Sequence, residues 1–435
     1  MISDLLELLK KDDRLYAWNV TSVNKDEYQL YFIKQQLQMN REIVVNEYYV
    51  TIFVKDRKKG KELLGTSSFQ LYSSMSIEEI KKKIDEQILL SKYTLNEMYS
   101  LPKKANLKPI SKDKGFDGHS LKDAAFIAAD ALFEADKFDK GYINSSEIFI
   151  DCIETRFFDS NDNVFLNIKQ HGKIEIVTTW CEKNHEIELS KLIDFEELDT
   201  NYIQSQANEL LIQASNRIKA EKTPEINNIS VILKDEYVKT FFKYFMDKCK
   251  TDTIYDRMSN YHLGYEIQNK ENKADLLSMR LEPMMKESTK GAPFDKEGIA
   301  LKRLNIIENG VVKNLWGSNA KSQYLNKMVY GCFDNFVVNG GSLTLQDLED
   351  ESYLEIISLS DLEIDLITGD LSSEIRLAYL YYKNKEKQIV TGGAISGNIE
   401  ELIHQIRFSS ETTQINNFMG PKYVLLPNLK ITKGQ

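Results

Sequence analysis

A mixed α+β fold in two domains is what this sequence of 435 residues predicts. Stretches of period-two alternation, rich in β-branched and aromatic residues, are interleaved with amphipathic stretches of helical spacing. They lack the regular strand-helix repeat of a parallel α/β sheet. One break, Thr223-Pro-Glu225, ends a long helical stretch just before a new strand and is the best candidate boundary. The length allows two or even three proper cores. The expected division is an N-terminal α/β-type layered domain over residues 1–222 and a C-terminal, mostly antiparallel β domain with flanking helices over 223–435.

The elements follow in order. Residues 2–11 read as a short amphipathic helix, and Glu27-Tyr-Gln-Leu-Tyr-Phe-Ile33 and Tyr48-Tyr-Val-Thr-Ile-Phe-Val54 alternate as strands do. Ser76-x-x-Glu79 is a capping box, opening a helix on which Ile77, Ile80, Ile84 and Ile88 recur at helical spacing. A lysine-rich connection over 102–118 leads to a second helix, capped by Ser120-x-x-Asp123 and running to about Asp136. Its alanine-rich surface, apolar nearly all round, predicts burial between layers. Asp136-Lys-Phe-Asp-Lys-Gly141 with Glu147 imitates a calcium loop, but Phe138 and Lys140 stand where oxygen ligands belong. A helix end followed by a glycine turn is the better reading. Residues 143–193 read as an antiparallel meander with turns at Ser160-Asn-Asp-Asn163 and His171-Gly172. A helix over about 199–222 closes this half.

Past the boundary, residues 229–233 predict a strand and 235–250 a helix with Asp235 as N-cap. Val238, Phe241, Phe242, Phe245 and Cys249 fall on one face of it, with Lys239, Lys243, Asp247 and Lys250 opposite. Asn309-Gly310 between two strand-like runs predicts a type I′ hairpin. Residues 353–358, 362–367 and 375–382 alternate as strands, and Asn398 with Glu401 caps a helix over 399–406.

Composition narrows the function. A net charge of -10 opposes general affinity for nucleic acid, which requires a concentrated positive surface. The basic stretch Lys55-Asp-Arg-Lys-Lys-Gly-Lys61 reads as a solvated hairpin tip. Cys152, Cys181, Cys249 and Cys332 show no C-x-x-C spacing and read as small hydrophobes. The first residues are too charged for a signal peptide. Nowhere do about eighteen apolar residues run together, so no membrane span is expected. A cytoplasmic protein in a reducing compartment is the expectation.

Three motifs stand in order in the last third: Ser288-Thr-Lys-Gly-Ala-Pro-Phe-Asp-Lys-Glu-Gly298, Thr368-Gly-Asp-Leu-Ser372 and Gly393-Ala-Ile-Ser-Gly-Asn398. Together they resemble the signature of the TldD/PmbA family, once called modulators of DNA gyrase, with Leu371 in place of the usual aromatic. The resemblance implies a two-subunit, zinc-dependent peptidase acting on unfolded or extended peptides, in which one kind of subunit carries the metal on a helix bearing His-Glu-x-x-x-His. The equivalent window here is the helix at 235–250, which holds no histidine. His119, His171, His185, His262 and His404 include no pair at that spacing, and His185-Glu186 lies in a strand-like run with no second imidazole nearby. The cysteine that the metal-bearing branch carries near its C-terminus is also missing.

The chain therefore resembles the PmbA-like, or TldE-like, branch: no catalytic, cofactor-binding or metal residue is expected in it, and zinc is expected in a metal-bearing TldD-like partner. Asp295, Glu297, Gly298, Thr368, Gly369 and Asp370 are the motif positions expected near the peptide channel. For Asp295 alone the residue reading is a turn-fixing role, with Gly298 supplying an unusual backbone angle. Two alternatives stand beside this: a homodimeric peptide-binding protein, and a hydrolase using Asp295, Glu297 and Asp370.

Overall fold

A computed structural model describes the chain apart from residues 59, 109–115, 117, 269–273, 349–350, 384–385 and 435. The fold is α+β, in a two-domain arrangement. The N-terminal part runs α1 (Ile2–Lys11), β1 (Ala17–Ile33), β2 (Gln36–Lys58), β3 (Lys61–Tyr72), α2 (Ile77–Ser91), β4 (Leu95–Glu97), α3 (Leu121–Phe133), β5 (Gly141–Asp159), β6 (Val164–Glu182), β7 (His185–Phe195) and α4 (Thr200–Arg217). Its strands form one sheet in the order β4-β3-β2-β1-β5-β6-β7, with every paired neighbour antiparallel.

The helices cover one face of that sheet. Leu30, Ile148, Ile150, Ile174 and Ile176 are buried against Ala124, Ala128, Leu132 and Leu210 of α3 and α4. Near the other end Val50, Ile52 and Val54 meet Ile80, Ile84 and Ile88 of α2 and Leu5 and Leu9 of α1. The alanine run in α3 lets this helix approach closely, which is why it is buried as the sequence predicts. Both expected caps form: the Ser76 capping box is complete, and the Ser120 side chain accepts from the Asp123 N–H. The carboxylate of Asp136 accepts from the N–H of Ile143, which fastens the end of α3 to β5.

The strands extend well beyond their apolar cores. β1 begins ten residues before the predicted Glu27, because pairing on both sides satisfies the backbone of its polar half. The turn expected at 160–163 is present, with Asp159 Oδ1 accepting from the N–H groups of Asn161 and Asn163. The turn expected at His171-Gly172 is not. β6 runs straight through both residues, and the glycine serves close packing: a Cβ at Gly172 would lie 2.2 Å from the ring of Phe195 on β7.

The C-terminal part adds β8 (Glu221–Lys222), β9 (Ile226–Lys234), α5 (Asp235–Lys248), α6 (Thr251–Tyr255), β10 (Met279–Glu282), β11 (Leu304–Glu308), β12 (Val311–Val312), α7 (Asn319–Tyr324) and β13 (Asn335–Val338). After these come β14 (Tyr353–Leu359), β15 (Glu363–Ile364), β16 (Asp370–Tyr381), β17 (Lys387–Thr391), β18 (Ala394–Asn398), α8 (Ile399–Leu402), β19 (Arg407–Phe408), β20 (Thr412–Ile415), β21 (Phe418–Pro421) and β22 (Tyr423–Ile431). One sheet has the order β12-β11-β10-β13-β21-β20. The other runs β14-β9-β22-β18-β16-β17-β8, and an extra β14–β16 pairing closes its first five strands into a barrel.

Helix α5 fills the space between barrel and sheet. Val238, Phe241, Phe242, Phe245 and Cys249 are buried to within 1% of full enclosure. Phe242 meets Phe408 and Phe418 with ring centres 5.0 and 6.0 Å away. The expected cap differs. β9 passes into α5 without a linker, so the extended Lys234 is the N-cap and Asp235 is the first helical residue at φ 50°, with no side-chain cap bond. The Asn309-Gly310 hairpin forms as expected, both residues at positive φ between Glu308 and Val311. The strand expected over 362–367 shrinks to β15 because Asp365 Oδ1 accepts from the N–H groups of Ile367 and Thr368, curling the chain. The helix expected over 399–406 likewise shortens to α8.

Gly172→Ala is expected to cost about 1–3 kcal/mol of stability through the clash with Phe195. Phe195→Leu in the same chain should recover part of that loss, measured by urea denaturation of both single variants and the double.

Candidate functional site

The first motif is wedged between the two parts of the molecule. Asp295 is 7% exposed, and its carboxylate holds two loops at once: Oδ1 accepts from the N–H of Glu297 (3.0 Å) and of Ile299 (2.9 Å), Oδ2 from that of Cys332 (2.9 Å). Burial pushes its pKa up against those hydrogen bonds. Gly298 sits at φ 81°, and a Cβ there would fall 2.4 Å from the ring of Phe157 on β5. Phe157 stacks on Phe165 and meets Phe294, making an aromatic joint between the N-terminal sheet and the motif.

Glu297 extends the joint. It accepts from the Asn319 N–H at 2.8 Å, and Asn319 donates through Nδ2 to the carbonyl of Ser100. Burial raises the Glu297 pKa, and Asp295 adds to the rise. Upstream, Lys169 on β6 donates to the Thr289 carbonyl (3.0 Å) while Ser288 donates to Asn335 (2.7 Å). The turn-fixing role expected of Asp295 and the backbone role of Gly298 are what this geometry displays.

The second and third motifs form one unit elsewhere. β16 and β18 pair so that Asp370 opposes Asn398, Leu371 opposes Gly397 and Ser372 opposes Ser396. Asp370 accepts from Thr368 Oγ1 and Asn398 Nδ2, each at 2.8 Å, and these bonds hold its pKa low. Asn398 Nδ2 also donates to the Thr368 carbonyl, and its Oδ1 caps α8. Asp295, Glu297 and Gly298 thus share one turn, and Thr368, Gly369 and Asp370 another.

Helix α5 touches this second unit through residues that sequence reasoning missed. Tyr244 donates to Glu400 (2.6 Å), and Lys248, 3% exposed, donates to the Leu366 carbonyl (3.3 Å) with its ammonium 3.6 Å from Glu400. Tyr244 and Tyr261 place their rings about that ammonium, at 5.6 and 5.1 Å. The available signal was the i, i+4 spacing of Tyr244 and Lys248 at the margin of an otherwise apolar stripe.

A second group lies on the face of the N-terminal sheet away from the helices. His171 reaches Asp151 on β5 through Nδ1 (3.4 Å) and Asp194 on β7 through Nε2 (3.1 Å), while Lys25 pairs with Asp151 and Glu27 on the same face. A neutral imidazole has one N–H, so contact with two carboxylates favours the imidazolium. Burial alone would lower the His171 pKa, but the bonds to Asp151 and Asp194 prevail and raise it.

These residues do not fit a zinc ion of the kind the family resemblance implies. Helix α5 carries no imidazole, its stripe is occupied by packed side chains, and among the described residues no group of three or more His, Cys, Asp and Glu is placed to hold a metal. His185 begins β7, exposed.

Comparison with known proteins bears on the fold and the family resemblance. The model of the PmbA/TldA metallopeptidase C-terminal domain matches residues 227–433, the span that holds α5 and all three motifs. A metalloprotease PmbA homologue of Buchnera aphidicola is 23% identical over 384 residues, covering 82% of each chain. Residues 227–433 thus carry the PmbA/TldA metallopeptidase C-terminal domain, and the likeness of the chain is to the TldD/PmbA family. Two solved structures share the fold: TldE from Thermococcus kodakarensis, with a TM-score of 0.78 at 13% identity, and a candidate modulator of a DNA gyrase from Thermotoga maritima, with 0.77 at 16%, each over 99% of both chains. Among the described residues, no helix is long and apolar enough to cross a membrane.

Asp295→Ala is expected to lower stability by about 3 kcal/mol or more, since three backbone donors lose their acceptor, and Asp295→Asn by less. Urea midpoints at neutral pH would show the order. For His171 the folded pKa is raised, so its contribution is fully present below the unfolded value of about 6.5 and is lost as the pH rises through the folded one. His171→Gln should flatten the fall in stability above about pH 6.5, read from denaturation midpoints across pH.

Proposed function

We propose that this chain is the non-catalytic subunit of a zinc-dependent TldD/PmbA-type metalloprotease of the cytoplasm, pairing with a metal-bearing homologue to process unfolded or extended peptides. The observation that carries the reading is helix α5. In the window where the family's metal-bearing branch places its zinc ligands, this chain presents Val238, Phe241, Phe242 and Phe245, all buried in the core. A helix committed to packing on that face has no room for a metal and a water to be activated.

The chain's own contribution is structural. The Asp295 turn fixes the joint between its two parts, and the paired second and third motifs, anchored to α5 by Tyr244 and Lys248, give a rigid surface at the barrel. In the pair these surfaces complete a closed channel whose chemistry resides in the partner. The net charge of -10 gives no support to direct action on DNA.

Elemental analysis of the chain purified alone, after exchange into metal-free buffer, is expected to find less than about a tenth of an equivalent of zinc. Mixed with a metal-bearing homologue from the same genome, it should support peptide cleavage that disappears when the homologue's zinc helix is mutated and persists with His185→Ala here. One equivalent of zinc per chain, or cleavage by the chain alone that survives chelation and is lost in Asp370→Asn, would sink the reading.

A further inference from the structure

The basic stretch over 55–61 lies at the tip of the β2–β3 hairpin, where Lys58 stands directly opposite Lys61. Cross-strand partners share a face, and like charges placed so repel. Lys55, Arg57, Lys58 and Lys61 are all exposed. Among the described residues none of the four has an ion-pair partner, whereas Arg14, Lys25 and Lys83 of the same sheet and its helices each reach a carboxylate. Of the nearby acids, Asp56 accepts from the N–H of Arg57, and Glu62 opposes Arg57 on the neighbouring strand.

Helix α2 ends at the base of this tip. The Ser91 carbonyl would lie 2.2 Å from a Cβ at Gly65, and Thr94 Oγ1 donates to the Thr66 carbonyl at 2.6 Å. The hairpin runs four residue pairs beyond Gly65, roughly 13 Å at about 3.3 Å per residue. The helix buries Ile80, Ile84 and Ile88 against the sheet, yet leaves Leu89 57%, Leu90 51% and Tyr93 80% exposed. Lys92 is exposed beside them. One end of the domain therefore offers cations without partners next to large apolar side chains in water, the combination that suits an amphiphilic anion.

We propose that this end of the N-terminal sheet docks on an anionic lipid bilayer. Headgroup phosphates relieve the repulsion between Lys58 and Lys61, while Leu89, Leu90 and Tyr93 enter the boundary between headgroups and acyl chains. Charge complementarity selects the anion, and the leucines select the lipid: a nucleic acid also supplies phosphates, but Leu89 and Leu90 have no ring on which a base could stack. The rest of the molecule fixes the orientation. With a net charge of -10 the chain is repelled by an anionic surface except where cations gather. A few basic residues joined to a small apolar wedge give reversible association rather than permanent anchoring. The inference concerns this end of the chain and does not rest on the catalytic reading above.

Cosedimentation of the full chain tests it, with vesicles of phosphatidylcholine alone or with about a third phosphatidylglycerol, at about 0.1 M salt. Binding is expected with the anionic vesicles only, and to be lost at about 0.5 M salt. Lys58→Gln with Lys61→Gln should weaken it about tenfold or more, since each lysine near such a surface accounts for about fivefold. Leu90→Ser with Tyr93→Ser should weaken it to a similar degree. Lys430→Gln with Lys433→Gln, both exposed in the C-terminal part, should leave it unchanged. Tyr93→Trp should be quenched by lipid brominated along its acyl chains, against Trp18, Trp180 and Trp316, which are buried. All the substituted sites are exposed, and circular dichroism would verify folding. Equal association with neutral vesicles, an equal loss in the Lys430 and Lys433 variant, indifference to residues 90 and 93, an unquenched Trp, or tighter binding to single-stranded DNA than to the vesicles at the same salt would overturn it. Zinc content and cleavage by the mixed pair test the other reading separately.

Discussion

The buried carboxylate of Asp295 is the constraint on which the arrangement of this molecule depends. One side chain accepts three backbone N–H groups from two segments, and burying it unpaired would be far more costly than burying it thus satisfied. Because the turn is held, Gly298 can lie flat under the Phe157 ring and Glu297 can reach Asn319, which in turn holds Ser100. The joint between the N-terminal sheet and the C-terminal part is therefore a chain of specific contacts rather than a loose apposition of surfaces.

A second constraint organises the C-terminal part. The barrel closes because β14 pairs with both β9 and β16, and α5 packs beside it with its aromatic face turned inward. Edge-to-face contacts among Phe241, Phe242, Phe245 and Phe408 give that packing its geometry. The same helix sends Tyr244 and Lys248 outward to Glu400 and the Leu366 carbonyl, so the core and the motif unit are positioned by one element. A lysine this deeply enclosed is tolerated because a carboxylate, a carbonyl and two aromatic rings surround its charge.

The N-terminal sheet is two-faced. Its helix-covered face is aliphatic and alanine-rich, while the opposite face carries Lys25, Glu27, Asp151, His171 and Asp194 in contact across neighbouring strands. Charges on a sheet face of low exposure are stable only when each finds a partner, and here the partners come from β1, β5, β6 and β7. This is why polar stretches that alone would make poor strands are held extended along their whole length.

The sequence by itself determined the local decisions. The capping residues Ser76 and Ser120, the alanine-rich α3, the Asn309-Gly310 hairpin and the apolar stripe of α5 follow from propensity, capping and period, each set by residues within a few positions. The motif order pointed to the family and to the turn at Asp295 for the same reason. What only the tertiary structure decided depends on residues far apart in the chain. Gly172 read as a turn, yet Phe195 on the next strand needs the space a side chain would fill. Asp235 read as a cap, yet the direct passage from β9 into α5 makes it a strained first residue. The pairing of Asp370 with Asn398, the contact of Lys248 with the Leu366 carbonyl and Glu400, and the double clasp of His171 are registers between strands or contacts between elements, and no spacing along the sequence encodes a register.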